Sequence, residues 1–545
     1  MSAPRLRPVR LTGLLVTATV VTAGLASAAP ALALAGPDAP AGQYAHTVKL
    51  NIGDEANSRA CTGTLVDAAW VLTAGSCFAA TPGTAVPEGN PALKTTATLS
   101  DGRTVDITEI APRADRDLVM ARLATPATGI AGVKRAGSAP AAGTDLVAAG
   151  FGRTKTEWVP GKLHTGTFTV NSAAATTLTV TGKGADVLCK GDTGGPLLNA
   201  AGELVAVNSR SWQGGCLGTA STETRTGAVS VRVDDLAEWI DVQRARASGW
   251  KTTAVVQSGS SLYQGVRLPD GSWTGFTDVQ TKAGSIGGIR SAAAAGINGD
   301  THVLAISNSG GLFHTLRKED GTWGTFGDVF SQAATLGSLT QVSVTSTGFD
   351  LHVIAVADGK AFHTVRNAAG QWSWFKDISS GSVANVTASA TASVRGEVQV
   401  VLVSGGKAYH SIRQTNGNWL TWGNVAQAAG TTGPITQISG VGSGDESHFV
   451  IATDNGTRQY HTVRDFNGTW SPFGDLKGVL GTVTVRSVSA AAVNGEVQVA
   501  VTTGDSKVLH TVRHADRTWT TPTTVPVPAL PAAPGAFAVT ANWTP

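Results

Sequence analysis

Apolar and polar residues alternate in short runs along most of the chain, and long helical periodicity is scarce. Runs of about four to eight alternating residues, separated by Gly-rich turns, are typical of strands with one buried face. One short amphipathic stretch covers residues 233–245, where Leu236, Trp239, Ile240 and Val242 fall near helical spacing. The pattern predicts an all-β protein with one short helix in its middle.

After Trp250 the alternation becomes a repeat. Six segments share one pattern, and they read YQGVRLPDGSWTGF, FHTLRKEDGTWGTF, FHTVRNAAGQWSWF, YHSIRQTNGNWLTW, YHTVRDFNGTWSPF and LHTVRHADRTWTTP. The repeated tryptophans are Trp273, Trp323, Trp372, Trp419, Trp470 and Trp519. A period of about 50 residues with several strands per unit is typical of a β-propeller. We predict a six-bladed β-propeller over residues 250–545.

The first copy lacks a first strand, because it begins directly at its second strand, TTAVVQS. The segment GAFAVTANW at 535–543 has the small and β-branched character of the missing strand. We expect it to pair into the first blade and close the ring, which removes the open sheet edges.

The first residues predict export. Three arginines precede an uncharged apolar run over residues 11–26, and small-residue cleavage sites follow at Ala28 and Ala33. This is the pattern of a secretory signal peptide, here residues 1–33, and the run is short and Thr-rich for a transmembrane anchor. We therefore predict a secreted, extracellular protein without a membrane span, in which the four cysteines form two disulfides.

Composition narrows the classes of function. With 42% apolar and 14% charged residues the chain is a folded one. The net charge is +3 and no dense Lys/Arg cluster occurs, so nothing favours nucleic acid as a partner. The sequence shows no metal-ligand cluster of suitable spacing and no nucleotide-binding loop, and we expect neither metal nor cofactor.

Residues 34–245 hold all four cysteines and no repeat. Their motifs are CTGTLVDAAWVLTAGSCF (61–78), RDLVMARL (116–123) and CKGDTGGPLL (189–198), supported by VAAGFGRT (147–154) and SWQGGC (211–216). This region resembles the trypsin-like, chymotrypsin-fold serine peptidases of the S1 family. The resemblance implies a trypsin-like double β-barrel with a site between the barrels, and disulfides that join Cys61 to Cys77 and Cys189 to Cys216.

The resemblance also assigns the catalytic positions. Acyl transfer by a hydroxyl needs a nucleophile, a base and a carboxylate that orients the base. Asp117 stands at the carboxylate position, but Ser76 stands at the base position and Thr193 at the nucleophile position. Gly191 and Thr193 keep the backbone amides of an oxyanion hole. A serine hydroxyl cannot act as a base at neutral pH, so we predict a pseudo-peptidase.

Two histidines, His46 and His164, lie in this region outside the matching motif. Surface or core roles are expected for both, and an active serine endopeptidase with a noncanonical centre stays the alternative. Asp192 resembles the carboxylate that pairs with the new amino terminus in this family. Cleavage after Ala33 would expose Leu34, which begins a loosely similar terminal sequence.

The specificity pocket departs from that of trypsins. Val187 stands where trypsins carry an aspartate, so recognition of Lys or Arg is not expected. Gln213 replaces a glycine after Trp212 at the pocket mouth, where its side chain would narrow the entrance.

The repeats resemble those of propeller lectins of the fucose-binding kind. The resemblance implies sugar sites built from Trp273, Trp323, Trp372, Trp419 and Trp470 as platforms, with Arg317, Arg366, Arg413 and Arg464 as polar partners. The alternative is structural: arginines form ion pairs between blades with the residue five positions after each Trp, which is acidic in four of six copies, and Trp and His are used for packing and hydrogen bonding. A glycan or protein ligand and a carbohydrate-binding adhesion protein are therefore both open.

Overall fold

A computed structural model describes residues 38–544, apart from 41, 55–57, 82, 247–248, 380, 382 and 528–529. Strands make up 49% of the chain and helices 6%, which confirms the all-β prediction. The predicted signal peptide lies outside the described residues. Within the described ranges no helix combines the length and apolar character needed to cross a membrane.

The first six strands form a closed antiparallel barrel in the order β1-β2-β3-β6-β5-β4. Its strands are β1 (Thr47–Ile52), β2 (Arg59–Asp67), β3 (Trp70–Thr73), β4 (Thr95–Thr98), β5 (Thr104–Pro112) and β6 (Val119–Leu123). Alternate residues face inward, so that Val48, Leu50 and Val71 are fully buried in the barrel interior.

A second closed barrel follows in the order β10-β11-β12-β9-β8-β7. Its strands are β7 (Asp145–Gly150), β8 (His164–Ala173), β9 (Thr177–Gly182), β10 (Pro196–Leu198), β11 (Leu204–Ser211) and β12 (Gly227–Arg232). A separate apolar core joins the barrels, in which Trp70 and Met120 of the first pack with Leu198 and Val207 of the second. The catalytic positions lie on loops around this shared core.

The rest of the chain forms six four-stranded sheets, which confirms the six-bladed propeller. The inner three strands of the blades are β13 (Gly249–Ser258), β14 (Ser261–Arg267), β16 (Ile289–Ile297), β17 (Asp300–Ser307), β18 (Leu312–Arg317), β20 (Leu339–Thr347), β21 (Asp350–Ala357), β22 (Lys360–Arg366), β24 (Val386–Val394), β25 (Glu397–Ser404), β26 (Lys407–Arg413), β28 (Ile435–Ser443), β29 (Glu446–Thr453), β30 (Arg458–Asp465), β32 (Val485–Val493), β33 (Glu496–Thr503), β34 (Val508–Arg513) and β36 (Pro534–Thr544).

The outer strand of each blade is only two residues long, shorter than the repeats suggest. These strands are β15 (Thr277–Asp278), β19 (Gly327–Asp328), β23 (Lys376–Asp377), β27 (Gly423–Asn424), β31 (Gly474–Asp475) and β35 (Thr523–Thr524). Four of them lead into short helices, namely α2 (Val279–Ala283), α3 (Phe330–Ala333), α4 (Ala426–Ala429) and α5 (Lys477–Leu480). Short 3-10 turns occur at Gly75–Cys77 and Asp454–Gly456.

The last strand closes the ring as predicted. β36 pairs antiparallel with β13 and forms the inner strand of the first blade. Phe537 stands opposite Val256 and is 3% exposed, and Val539 beside it is 4% exposed. The carboxyl-terminal strand therefore supplies the fourth strand of the amino-terminal blade and closes the ring between its two ends.

Helix α1 (Ala237–Ala245) lies at the junction between the barrels and the ring. Its Asp241 carboxylate accepts a hydrogen bond from the Gly275 N–H of blade 1 (2.8 Å), and Arg244 donates to Ser272 Oγ (3.1 Å). Lys251 is buried and donates to the Ala245 carbonyl (2.7 Å). Polar contacts of Asp241, Arg244 and the carboxyl-terminal Ala245 carbonyl therefore bind the helix to the first blade.

Candidate functional site

Three loops bring the catalytic positions together beside the shared core of the barrels. Ser76 follows β3 in the 3-10 turn, Asp117 comes just before β6, and Thr193 lies in the loop that enters β10. Both disulfides implied by the resemblance are present. The bond between Cys61 and Cys77, with Cα atoms 6.3 Å apart, ties the Ser76 turn to β2.

The Asp117 carboxylate is the common acceptor of this cluster. Ser76 donates to it twice, through its N–H to Oδ1 (2.6 Å) and through Oγ to Oδ2 (3.0 Å). Ser209 Oγ donates to Oδ2 as well (2.6 Å). The residue at the base position is thus a hydroxyl whose proton already points at the carboxylate, and it offers no nitrogen lone pair to a nucleophile.

The Thr193 hydroxyl donates to the backbone carbonyl of Ser209 (3.3 Å). A carbonyl oxygen accepts a hydrogen bond but does not take up a proton at neutral pH. Ser209 therefore contacts both halves of the cluster, Thr193 through its carbonyl and Asp117 through its hydroxyl. The arrangement holds the two side chains in place without a base between them.

The two histidines of the barrels have other surroundings. His46 lies against Tyr44, with ring centroids 6.3 Å apart, and burial lowers its pKa. His164 begins β8 with Nδ1 3.8 Å from an Asp38 carboxylate oxygen, and burial also lowers its pKa. In the described structure neither ring has a hydrogen bond or ion pair with a catalytic position.

The loop at Gly191 and Thr193, where the family resemblance implies an oxyanion hole, has a backbone that depends on glycine. Gly191 has φ +102°, and a Cβ there would lie 2.7 Å from the Gly152 Cα, so the position requires glycine. Its carbonyl accepts from Thr62 Oγ1 (2.7 Å). The N–H groups of Gly191 and Thr193 donate to no other described residue. Two amides are thus free to bind an oxygen atom.

Asp192 lies behind this loop and is 1% exposed. Its two carboxylate oxygens accept from the N–H groups of Gly152 (2.8 Å) and Cys189 (2.9 Å). Burial raises the pKa of Asp192 to about 7, although both hydrogen bonds favour the charged form. Leu34 lies outside the described residues, so its pairing with this carboxylate stays a prediction.

Two of the three predicted pocket residues contact the second disulfide, Val187 by packing and Gln213 through its carbonyl, which accepts from the Cys216 N–H (3.0 Å). Val187 is fully buried against Cys189 and Cys216, and it places no carboxylate there. Trp212 is 55% exposed, and the Arg225 guanidinium lies 3.6 Å from the centre of its ring. Gln213 has φ +59°, a left-handed conformation that suits glycine and is strained for glutamine.

Ser209 is a site residue that the sequence motifs do not reveal. The stretch Asn208 to Trp212 contains two serines in alternation, and a β-bulge falls between Asn208 and Arg210. Ser211 Oγ turns to the Leu188 carbonyl, whereas Ser209 Oγ turns to Asp117. The alternation places both serines on one face, but only the bulge decides which of them reaches the carboxylate.

In the propeller the repeated tryptophans are half-buried between blades. Five of the six pack edge-on against a histidine of the preceding blade, as Trp372 does on His314 (5.6 Å) and Trp419 on His363 (5.4 Å), whereas Trp323 packs against an apolar cluster. The same contact joins Trp470 to His410, Trp519 to His461 and, across the ring closure, Trp273 to His510. Packing between blades is therefore the role that these rings have in the structure.

Each of these histidines also bonds to the second strand of its own blade. Three blades use a buried histidine pair, His302 with His314, His352 with His363 and His448 with His461. Two blades use glutamine instead, Gln399 with His410 and Gln498 with His510. Burial lowers the pKa of all eight histidines.

The repeated arginines lie over the turn between the third strand and the Trp. A Cβ on Gly370 would be 2.9 Å from Arg366 Nη2, and blades 1, 2, 4 and 5 show the same contact of arginine with turn glycine. Arg317 is 7% exposed, and burial lowers its pKa to about 10.

The acidic residues that follow the Trp in four of the six blades contact residues of their own blade. Asp278 and Asp328 accept from the N–H two residues ahead (2.8 and 2.9 Å) and so cap the following helical turn. Asp377 pairs with Lys360 (3.3 Å) and Asp475 with Arg458 (3.1 Å), each at the start of the third strand of its own blade. These contacts differ from the pairing between blades that the repeats suggest.

A polar cavity of about 510 Å³ lies between blades 2 and 3. Asp300 and His302 of blade 2 line it, and so do Phe349 and Arg366 of blade 3. The acidic position recurs as the first residue of the second strand in five blades, at Asp300, Asp350, Glu397, Glu446 and Glu496. In blade 1 the corresponding residue is Lys251, by register with the strands of blade 2.

Comparison with known proteins agrees with the barrels. Residues 34–240 match the model of the Trypsin family. A solved structure entitled "Structure of GrC" is similar to this chain at 18% identity, with a TM-score of 0.30, over 37% of this chain and 95% of its own. No curated protein matches the chain.

Proposed function

We propose that this chain, a trypsin-like domain at residues 34–240 followed by a six-bladed β-propeller, is an exported pseudo-peptidase whose propeller binds a ligand. The trypsin-like domain acts as a binding surface and a scaffold, and it does not hydrolyse peptides. Two disulfides in the trypsin-like domain support a location outside the cytoplasm.

One observation carries the loss of catalysis. The Asp117 carboxylate is occupied by Ser76 and Ser209 hydroxyls, and the Thr193 hydroxyl donates to a backbone carbonyl. No imidazole lies between Asp117 and Thr193 in the described structure. Removal of the base from such a unit lowers turnover on the order of 10⁶-fold. Oxyanion binding alone leaves roughly 10³–10⁴ over water.

A peptide-hydrolysis panel with the full chain tests this proposal. We expect wild-type turnover far below the typical enzyme range of about 1–10³ s⁻¹. The double variant Ser76→His/Thr193→Ser restores a base and an uncrowded nucleophile, and it should gain activity that neither single variant reaches. Adding Asp117→Asn to the double variant is the matched control and should remove the gain. Wild-type turnover in the normal range would instead establish an active peptidase with a noncanonical centre.

For the propeller, the clefts between blades support ligand binding. The cleft between blades 2 and 3 combines an acid, a guanidinium and the 63%-exposed Phe349 ring. A hydrogen-bond acceptor, Asp300, and a donor, Arg366, beside an exposed aromatic ring suit a polyhydroxylated ligand such as a carbohydrate. The repeated tryptophans contribute less than the repeats suggest, because their faces are partly covered by histidines.

A glycan array with the full chain tests this second part. Binding that is lost in Arg366→Ala, and kept in Arg486→Ala at an exposed position near the start of β32 in blade 6, would support carbohydrate recognition by the clefts. If the chain binds no glycan on the array, a protein remains as the proposed ligand of the propeller.

A further inference from the structure

Helix α1 lines the cleft between blades 1 and 2. Its Val242 packs on the turn of blade 2, where a Cβ added to Gly321 would lie 2.8 Å from Val242 Cγ1. Arg317, the repeated arginine of blade 2, lies at the same turn, with Nη2 3.5 Å from that Cβ position. Arg317 is buried, whereas the five equivalent arginines of the ring are partly exposed. The helix therefore encloses a guanidinium that the other clefts leave in contact with solvent.

The Arg317 guanidinium has few partners for a buried charge. Among the described residues it makes one hydrogen bond, to the Lys318 carbonyl at 3.4 Å, and no ion pair. Burial lowers the pKa of Arg317 to about 10, although the charges of Asp320 and Asp300 act in the opposite direction, so the group stays charged at neutral pH. A guanidinium has five N–H donors, and a buried charge without a counter-charge is costly. Most donors of Arg317 thus have no acceptor within the described protein.

A second buried donor comes from blade 1. Gln264 stands at the third-strand position that histidine occupies in the other five blades, and it is 5% exposed. In those blades the histidine bonds to a His or Gln of the second strand, but in blade 1 that second-strand position is Thr253, by register with blade 2. The threonine side chain is too short to replace this partner. Gln264 Nε2 accordingly has no hydrogen-bond partner in the described structure.

Both donors line one small cavity of about 30 Å³ between α1 and the two blades. A water molecule needs about 10–15 Å³, so this space suits a monatomic anion and is too small for a phosphate or sulfate. Two carboxylates also lie in the wall, but each already has a cation. Asp241 pairs with Arg244 (3.0 Å), and Glu238 pairs with Lys282 (2.6 Å). Arg317 is thus the charged group of this wall whose counter-charge the described protein does not supply.

We propose that this cavity binds one chloride ion, held by the Arg317 guanidinium and the Gln264 amide. The ion supplies the counter-charge of Arg317 and accepts a hydrogen bond from Gln264 Nε2. Because Asp241 and Val242 of the helix form the opposite wall, the bound ion stabilises the docking of the trypsin-like domain on the propeller. The catalytic positions take no part in this site, so the inference is independent of the proposed pseudo-peptidase.

Anomalous diffraction from crystals of the full chain grown in sodium bromide tests the site directly. Bromide takes the place of chloride, and its anomalous scattering distinguishes it from water. We expect a peak within hydrogen-bonding distance of the Arg317 guanidinium and Gln264 Nε2, and no peak there in crystals of Arg317→Gln. Density at this position without an anomalous signal would identify a water molecule and would overturn the proposal.

Thermal unfolding of the full chain in sodium chloride and in sodium gluconate, at equal ionic strength, tests the effect on docking. Gluconate is too large for the cavity, so we expect chloride to raise the midpoint Tm by about 2–4 °C. Arg317→Gln should abolish this rise and Gln264→Leu should reduce it. The matched control Arg513→Gln, at the equivalent, partly exposed position of blade 6, should keep it.

Each variant is compared with its own value in gluconate, so a general loss of stability does not obscure the result. An equal rise in wild type, Arg317→Gln and Gln264→Leu would indicate a general salt effect and would contradict the site. A bromide peak in the cavity without any rise in Tm would mean an adventitious ion only, and it would also overturn the proposal.

Discussion

The trypsin-like domain and the propeller bury ionisable groups of opposite kinds. The barrels enclose a carboxylic acid, Asp192, whose pKa burial raises to about 7. The ring encloses eight histidines whose pKa burial lowers. Desolvation disfavours the charged form in both regions, so ionisation destabilises the barrels as pH rises and the ring as pH falls.

The two regions also differ in how they distribute a role. In the barrels each position of the cluster is held by one side chain, so the loss of catalysis that we propose depends on only two residues, Ser76 and Thr193. In the ring the contact of Trp with His occurs at five blade boundaries, and a change in one copy leaves the others intact. A role held by a single residue can therefore be removed by one substitution. A contact that recurs around the ring is weakened at only one blade boundary by each substitution.

The largest effect is expected at the ring closure. Phe537→Ala removes a ring that is 3% exposed between the first and last blades, and we expect a loss of about 3–5 kcal/mol in the unfolding of the propeller. The matched control is Phe466→Ala, at a ring that is 41% exposed, which should change stability much less. Calorimetric scans of both variants check this, and equal shifts would argue against a closing role for β36.

The second prediction tests whether the two domains unfold separately, by removing a disulfide of the trypsin-like domain. The double variant Cys189→Ala/Cys216→Ala opens a loop with a sequence separation of 27, and we expect the trypsin-like domain to lose about 3–4 kcal/mol. The propeller contains no cysteine, and its own transition should stay in place. A calorimetric scan in which both transitions moved together would show that the two regions unfold as one unit.

The sign of the pH response gives a third test. Asp192 has a folded pKa of about 7 against an ordinary value of 3.8, so its penalty is absent below the ordinary value and complete above about pH 7. In a chain without an amino-terminal ammonium group paired to Asp192, the barrels should gain about 2–3 kcal/mol from this group between pH 8 and pH 5. Asp192→Asn should flatten that part of the urea-unfolding profile, and an unchanged slope would mean that the carboxylate is not the source.

The smallest effect is expected at a histidine whose position is occupied by glutamine in two other blades. Burial lowers the pKa of His352 to about 4, so at pH 5 it stays neutral when folded but charges when unfolded. His352→Gln reproduces the Gln–His pair of blades 4 and 6, and it should recover about 2 kcal/mol of propeller stability at pH 5 with little change at pH 7.5. Urea midpoints at both pH values check this. Equal midpoints for variant and wild type at pH 5 would contradict the burial argument.

Much of this architecture follows from the sequence because it depends on local patterns. Strand alternation, the tryptophan period and the missing first strand of the first copy together predict six blades and their closure by residues 535–543. The motifs around Cys61 and Cys189 likewise predict the two barrels and both disulfides.

What the sequence does not reveal depends on contacts between distant segments. Ser209 reaches Asp117 because of a bulge in β11, and Asp241 reaches Gly275 because the helix docks on blade 1. The acidic residues that follow four of the six Trp residues accept from the N–H two residues ahead, although composition alone suits an ion pair with arginine equally well. In each case the polar partner is set by tertiary geometry and not by residue type.

Labelling with a fluorophosphonate probe, read by intact mass, tests the central claim most directly. A probe that reacts with an activated hydroxyl reports the missing proton acceptor without depending on peptide specificity. We predict no stoichiometric label on the wild-type chain and a single label on Ser76→His/Thr193→Ser. A stoichiometric label at Thr193 of the wild-type chain would contradict the pseudo-peptidase.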